Sequence, residues 1–169
     1  MSFSVSSIKV LAAGAGELGI CPIPGRWGGY RADMLAIAGW GPGLVLSLTT
    51  GAELAQAGAA GLADDLRRFG CAWRHMPVAD FAAPEKATLR EWSTVSAGAR
   101  AVLAARGRVL VHCRGGCGRS GMAALRLLVE MGEGAEPALA RLRMVRPCAV
   151  ETQAQFEWAS QPQNQSGKA

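Results

Sequence analysis

The chain has 169 residues, of which 50% are hydrophobic and 18% charged, a composition typical of a globular domain. This length allows one sizeable core and excludes a second catalytic domain. No apolar run approaches the ~20 residues of a membrane-spanning helix, and the N-terminus shows no secretory signal. We therefore expect a soluble, cytoplasmic protein with one domain over residues 1–160 and a flexible C-terminal tail over 161–169.

The net charge of +5 arises from 18 Lys and Arg residues against 13 Asp and Glu residues. Such an excess favours anionic partners, among them phosphate esters. Aromatic residues make up only 6% of the chain and do not alternate with basic clusters, so we expect no nucleic-acid partner. The cysteines lack the spacing of a zinc site or an obvious disulfide framework, which suits a reducing compartment. They are Cys21, Cys71, Cys113, Cys117 and Cys148.

The first half of the chain alternates strand-like apolar runs with helical patterns. Strands are predicted over residues 3–13, 18–24, 44–48 and 71–78. The second of them is predicted at an edge of the sheet, because its prolines cannot donate to a strand ladder. Helices are predicted over residues 31–38 and 53–69, the latter interrupted near Gly58 and Gly61.

The second half continues this alternation. A long helix is predicted from Pro84 to about Arg106, with apolar residues at helical spacing, and a buried strand follows at residues 109–111. Three more helices are predicted: one after Arg119, one near Pro137 and one over residues 151–159. Strands that alternate with helices indicate an α/β fold, with a central, mostly parallel sheet of about five strands flanked by helices.

Residues 109–121 (VLVHCRGGCGRSG) contain the candidate functional site. A strand, a glycine-rich loop and the start of a helix together form an anion site, because the loop amides and the helix N-terminus point at one spot. In parallel sheets, ligands bind at the carboxyl ends of strands, where His112 and Cys113 fall. The glycines of this loop allow its amides to turn inward.

Cys113 is the candidate nucleophile, because the loop amides, the helix N-terminus and Arg119 favour its thiolate form. The same donors can hold the oxygens of a phosphoryl group, two of them through the planar guanidinium of Arg119. Ser120 can donate a hydrogen bond to the sulfur and help it leave, and it can also cap the helix. We expect His112 to fix the loop and tune the thiol rather than act as a base.

Attack on a phosphate monoester requires an acid to protonate the departing oxygen. Asp80 lies on a loop directly after a predicted strand and is our candidate for this acid. Glu85 is the reserve candidate, although a carboxylate in the first turn of a helix also stabilises that helix.

Cys117 is a second thiol within the loop. It can be a small apolar filler beneath the loop or a redox partner of Cys113. We favour the filler, because a bridge between Cys113 and Cys117 must meet tight geometric limits.

A Cys and an Arg separated by five residues, with His before the Cys and Ser after the Arg, resemble the signature of the cysteine-dependent protein tyrosine and dual-specificity phosphatases. Residues 18–25, 50–54 and 77–80 extend the resemblance to the kinase-associated phosphatase (cyclin-dependent kinase inhibitor 3-like) group. The resemblance implies a dual-specificity phosphatase-like fold, Asp80 as the acid, Cys113 as the nucleophile, Arg119 as the phosphate clamp and Ser120 as the partner of the leaving thiolate. It implies no cofactor and no metal. The residues expected to bind the phosphate are Arg114, Gly115, Gly116, Cys117, Gly118, Arg119 and Gln155.

Residues 149–155 resemble the segment in which family members place glutamines near the hydrolytic water. Gln155 matches that pattern, whereas Glu151 stands where the pattern has Gln. We expect Glu151 to turn outward in the first turn of its helix and Gln155 alone to handle the water.

The expected function is therefore that of a phosphoprotein phosphatase, which hydrolyses phosphotyrosine, phosphoserine or phosphothreonine through a phosphocysteine. We expect a monomer that acts on a phosphorylated protein without stable membrane association. A phosphoinositide or polyphosphate substrate is the alternative, since Arg114 adds positive charge to the loop. A phosphoprotein-binding pseudophosphatase and a rhodanese-like sulfurtransferase are further alternatives. The loop at residues 25–31, with two cations and two aromatic side chains, either borders the substrate site or is a surface turn.

Overall fold

The computed structural model describes residues 7–161 of the chain. The beginning of the first predicted strand lies outside the described residues, as does the expected C-terminal tail from residue 162 onward. In the part of the chain that the structure describes, no helix has both the length and the apolar character needed to cross a membrane.

Five strands form one mixed sheet. They are β1 (Lys9–Ala13), β2 (Gly16–Pro22), β3 (Leu44–Ser47), β4 (Ala72–His75) and β5 (Arg108–Cys113). Their order is β1-β2-β5-β3-β4, and only the β1–β2 pair is antiparallel. The predicted α/β fold with a mostly parallel sheet of about five strands is thus confirmed.

The predicted edge position of β2 is wrong, since β2 pairs with β1 on one side and β5 on the other. Pro22 is compatible with this interior position because it is the last residue of the strand, where a missing N–H interrupts no continuing ladder. Pro24 lies beyond the strand.

Helices flank the sheet on both faces. Over residues 7–161 they are α1 (Tyr30–Trp40), α2 (Gly51–Gln56), α3 (Leu62–Arg68), α4 (Lys86–Ala104), α5 (Gly118–Glu130), α6 (Ala135–Val145) and α7 (Gln153–Ser160). The helix predicted over residues 53–69 is therefore two helices, and Gly58 between them has a φ of +69° that ends the helical path. The last helix begins two residues later than predicted, because Thr152 is its N-cap.

The sheet separates two hydrophobic cores, and β5 contributes to both. Val109 and Val111 belong to the larger core with residues of α4 to α7, whereas Leu110 faces the smaller core beside α1 and α3. This alternation follows from the two-residue period of a strand. Because β5 is the central strand, its carboxyl end places Cys113 in the middle of the sheet edge where the ligands of parallel sheets bind.

Candidate active site

The loop between β5 and α5 has paired carbonyl groups and unpaired amides. Within residues 7–161, the amides of Gly115, Gly116 and Cys117 donate no hydrogen bond. The carbonyl oxygens of Gly115 and Gly116 accept hydrogen bonds from Arg146, at 2.7 and 2.6 Å. This arrangement leaves the amides available to bind an anion at the N-terminus of α5.

Glycine is required at two positions of this loop and helix start for different reasons. Gly116 has a φ of +68°, and a Cβ there would lie 2.5 Å from the backbone of Cys21. A Cβ on Gly121 would lie 2.7 Å from the backbone nitrogen of Val150. The loop therefore packs against β2 on one side and against the segment before α7 on the other.

The structure brings Cys113 and Ser120 together, as the sequence predicts. The sulfur of Cys113 lies 3.3 Å from Oγ of Ser120, and both side chains are buried. The hydroxyl can donate a hydrogen bond to the sulfur, which stabilises a thiolate at the base of the loop.

His112 lies beneath the loop in a buried polar network. Its Nε2 is 2.5 Å from Oγ of Ser47, which accepts a hydrogen bond from Nε1 of Trp73 at 2.8 Å. The Ser47 hydroxyl thus links His112 to Trp73. Burial and, to a lesser extent, the nearby His75 lower the pKa of His112 to about 3. A neutral, enclosed imidazole supports the expected role in fixing the loop.

Arg119 is buried, and Glu53 holds its guanidinium group on two sides. Nη1 donates to Oε2 of Glu53 at 2.8 Å, and Nη2 donates to Oε1 at 2.7 Å. These hydrogen bonds lower the pKa of Glu53 to about 2 although burial opposes the shift. Burial by itself lowers the pKa of Arg119, but Glu53, Cys113 and Asp80 together raise it, so the net shift is upward. The pair is ionised at neutral pH.

Glu53 is a site residue that our reading of the sequence did not single out. It is also the third residue of α2, where its backbone N–H donates to Oγ1 of Thr50 at 3.2 Å and its carboxylate accepts from the Thr50 N–H at 2.8 Å. The Thr-x-x-Glu pattern of a capping box, directly after a buried strand, is the signal in the sequence that marks this carboxylate.

The remaining contacts of Arg119 connect it to the loop that carries Asp80. Nη1 donates to the carbonyl oxygen of Val78 at 2.9 Å, and Nη2 lies 3.1 Å from Oδ1 of Asp80. Nε is buried and has no hydrogen-bond partner among the described residues. A buried, unpaired N–H group is costly unless a ligand accepts from it. The guanidinium can therefore bind an oxyanion while Glu53 holds its orientation.

Asp80 lies on the loop between β4 and α4, half-exposed at the mouth of the site. The next residue, Phe81, has a φ of +59°, an unfavourable conformation for an aromatic residue. The carbonyl oxygens of Phe81 and Ala82 accept hydrogen bonds from Thr152 and Gln155, at 3.2 and 3.3 Å. The start of α7 thus positions the loop that carries Asp80. Glu85, the reserve acid, is the N-cap residue of α4.

The outward orientation expected for Glu151 is wrong. A Cβ on Gly118 would lie 2.1 Å from Oε2 of Glu151, so the carboxylate faces the loop. Because Thr152 caps α7, Glu151 precedes the helix and does not belong to its first turn. The buried Gln155 amide accepts from the backbone of Glu151 at 2.9 Å and also contacts Ala82, so Gln155 helps to orient the Glu151 segment.

Cys117 forms a disulfide bond with Cys148, with a Cα–Cα distance of 5.2 Å. The sequence shows no obvious disulfide framework, yet the structure contains this bond, so both interpretations of Cys117, as a filler or as a partner of Cys113, are wrong. The pairing was not evident in the sequence because the two cysteines lie 31 residues apart and meet only through packing of the α6–α7 connection on the loop. Cys21, Cys71 and Cys113 are free and buried.

Cys113 and the loop that follows it border a cavity of about 290 Å³. Its lining contains Arg26, Asp80, Phe81, Cys113, Arg114, Gly115, Cys117, Gly118 and Glu151. Over residues 7–161, no group of three or more His, Cys, Asp and Glu side chains is placed to hold a metal ion. A thiol, an amide-lined loop, a buried guanidinium and a carboxylic acid together can bind a phosphate monoester and cleave it by nucleophilic attack.

This combination of fold and site defines a cysteine-dependent phosphatase of the dual-specificity and protein tyrosine phosphatase superfamily. The family model described as "Tc-R-P: Polymorphic toxin system, DSP-PTPase phosphatase" matches residues 36–133, and the chain belongs to that family. No curated protein sequence matches the chain significantly.

Solved structures share the fold over nearly the whole chain. Kinase-associated phosphatase, solved with its catalytic cysteine replaced by serine, is 24% identical with a TM-score of 0.79, covering 90% of each chain. The active form of Tk-PTP is 27% identical with a TM-score of 0.69, covering 90% of this chain and 92% of its own. PTPMT1 in complex with PI(5)P is 14% identical with a TM-score of 0.66, covering 90% of this chain and 92% of its own.

The disulfide bond makes the stability of the domain sensitive to reductants. Reduction should lower the free energy of unfolding by about 3 to 4 kcal/mol, the loop-closure contribution of a bridge across 31 residues. Denaturant titrations with and without a thiol reductant measure this difference. Cys148→Ser is the control, because a reductant should not weaken this variant further. An unfolding curve of the wild type that is identical in both conditions would contradict the prediction.

Proposed function

We propose that this protein is a phosphoprotein phosphatase that hydrolyses phosphotyrosine, phosphoserine or phosphothreonine through a phosphocysteine at Cys113. The unpaired Nε of the buried Arg119 carries the proposal. Together with three loop amides that donate no hydrogen bond among the described residues, it supplies donors for the non-bridging oxygens of a phosphoryl group above the Cys113 sulfur.

In the first step, the Cys113 thiolate attacks phosphorus and the bond from phosphorus to the ester oxygen breaks. Asp80, at the mouth of the cavity, gives its proton to the departing oxygen. Arg119 and the loop amides stabilise the charge on the equatorial oxygens, and Glu53 keeps the guanidinium from turning away.

In the second step, water attacks phosphorus and the bond between phosphorus and sulfur breaks. Asp80, now a carboxylate, accepts a proton from the water. Ser120, 3.3 Å from the sulfur, donates to the thiolate as it leaves. Glu151, which faces the loop and lines the same cavity, orients the attacking water in this proposal.

A phosphoinositide substrate is the alternative, and PTPMT1, solved in complex with PI(5)P, shares the fold. Arg26 and Arg114 line the catalytic cavity, but so do two carboxylates, Asp80 and Glu151. These carboxylates would repel those additional phosphates of a compact headgroup that lie beside them. We therefore favour a phosphorylated protein, whose residues beside the phosphate can extend away from these carboxylates.

Replacement of the nucleophile tests the proposed function. Cys113→Ser should abolish turnover of p-nitrophenyl phosphate, measured without added metal, because a serine hydroxyl lacks the thiolate's reactivity. Binding of vanadate should persist, since the loop and Arg119 remain. Cys71→Ser, which alters a buried thiol outside the cavity, is the matched control. Turnover that survives in Cys113→Ser would overturn the proposal.

The role of Asp80 can be separated from a structural role by the choice of leaving group. Asp80→Asn should lose about 10²-fold in rate on alkyl phosphates, whose departing oxygens need protonation, and much less on p-nitrophenyl phosphate. Asp64→Asn provides a control, because Asp64 forms an exposed pair with Arg67 on α3. Equal losses on the two substrates would assign Asp80 to the structure of its loop.

Glu151 should affect the second step more than the first. Glu151→Gln is expected to slow hydrolysis of the phosphocysteine about tenfold, because a neutral amide accepts the hydrogen bond that orients the water less strongly than a carboxylate does. Rapid mixing should then show a burst of released alcohol before the steady state. Glu157→Gln, exposed on α7, serves as the control. A faster steady state in Glu151→Gln would show that the carboxylate only repels the substrate.

A further inference from the structure

We propose that Arg26 and Arg114 form a second anion-binding site beside the catalytic cavity, which binds a second phosphate or carboxylate group of the same phosphopeptide. The proposal rests on the proposed phosphoprotein phosphatase activity and defines its substrate more narrowly. The preferred peptide carries a phosphorylated or acidic residue close to the residue that is dephosphorylated.

Two cavities meet at these arginines. The catalytic cavity and a neighbouring cavity of about 240 Å³ both have Arg26 and Arg114 in their lining. Nη1 of Arg26 donates to the carbonyl oxygen of Arg114 at 2.6 Å, which ties the two residues together. A peptide whose phosphate enters the catalytic cavity can therefore place a neighbouring side chain in the second cavity.

The charge around the second cavity favours an anion. Neither Arg26 nor Arg114 forms an ion pair with any carboxylate of residues 7–161. Glu53 also lines this cavity, but Arg119 and Thr50 already occupy its carboxylate oxygens. Apart from that compensated group, the polar side chains of the lining are Arg26, Arg114 and Gln56. The second cavity is therefore basic, whereas the carboxylates of Asp80 and Glu151 line only the catalytic cavity.

The backbone holds Arg26 in place before a substrate arrives. The N–H of Gly25 donates to the buried carboxylate of Asp33 at 2.6 Å, and the N–H of Ile23 donates to the Arg114 carbonyl at 3.4 Å. Gly25 has a φ of +87°, and a Cβ there would lie 2.0 Å from the Ala57 carbonyl oxygen. A preorganised cation binds an anion at a lower entropic cost than a mobile one. These contacts support a substrate-bordering role for the loop at residues 25–31.

The lining also indicates a peptide rather than a bare phosphate. Trp27 is 42% exposed, and the guanidinium carbon of Arg26 lies 5.7 Å from the centre of its ring. Ile23 and Ala57 add further apolar surface to the same cavity. Apolar groups beside two cations fit the aliphatic and backbone atoms that accompany an acidic side chain in a peptide.

The test compares two phosphotyrosine peptides that differ at one position two residues from the phosphotyrosine. One has alanine there, and the other has a non-hydrolysable phosphonate analogue of phosphoserine, so that only the phosphotyrosine turns over. For the wild type, kcat/KM should be about tenfold higher on the phosphonate peptide, through a lower KM, because two charge-assisted contacts are gained. Raising the salt concentration should reduce this preference.

Arg26→Gln should reduce the preference to about twofold, and Arg26→Lys should retain part of it, because the charge remains without the planar fork. Arg31→Gln is the matched control: it removes the same charge from the start of α1, outside both cavities, and should keep the full preference. Equal kcat/KM values for both peptides in the wild type, or an equal loss of preference in Arg31→Gln, would overturn the second site.

A failure of the proposed phosphatase activity can be distinguished from a failure of the second anion-binding site. If no peptide and no aryl phosphate is turned over, direct binding of both peptides to Cys113→Ser still tests the second site, by the same tenfold ratio in Kd. A soluble phosphoinositide pair with one and two phosphates forms the final comparison. The peptide assignment would be overturned in favour of a lipid headgroup by two results together. The wild type would prefer the doubly phosphorylated phosphoinositide while showing no preference between the two peptides, and Arg26→Gln would remove that preference.

Discussion

The bidentate ion pair between Arg119 and Glu53 is the interaction on which the site depends. It joins the start of α5 to the start of α2, and Arg119 extends the connection to the loop of Val78 and Asp80. With the pKa of Glu53 at about 2, the carboxylate is ionised far below neutral pH. The stabilisation by this pair is fully present above the ordinary carboxyl range and is lost only as the pH falls through about 2. A buried guanidinium without such a partner would be strongly destabilising.

A second set of contacts holds the loop from the opposite side. Arg146 binds two loop carbonyl groups, and the bond between Cys117 and Cys148 ties the loop to the same connection. The loop, with its unpaired amides, is thereby held in place before any ligand binds. Preorganised donors stabilise developing charge without reorganisation during the reaction, which is a major source of rate enhancement in enzymes.

Features encoded in contiguous residues could be predicted from the sequence. The α/β fold followed from hydrophobic periodicity, and the stretch from His112 to Ser120 contains its strand end, loop and helix start in one segment. Features that depend on contacts between distant segments could not be predicted in this way. The interior position of β2, the Cys117–Cys148 pairing and the orientation of Glu151 belong to this group. Glu53 is an intermediate case, because a local capping pattern marks it while its role depends on Arg119.

The glycine at position 118 connects the geometry of the loop to the acidity of the site. It is the first residue of α5, and the space that a methyl group would occupy is taken by the Glu151 carboxylate. A single added carbon atom would therefore displace a negative charge without touching the nucleophile or the clamp. The position of one negative charge in the catalytic cavity is thus set by a residue that has no side chain, and one small steric change there would alter the charge balance of the cavity.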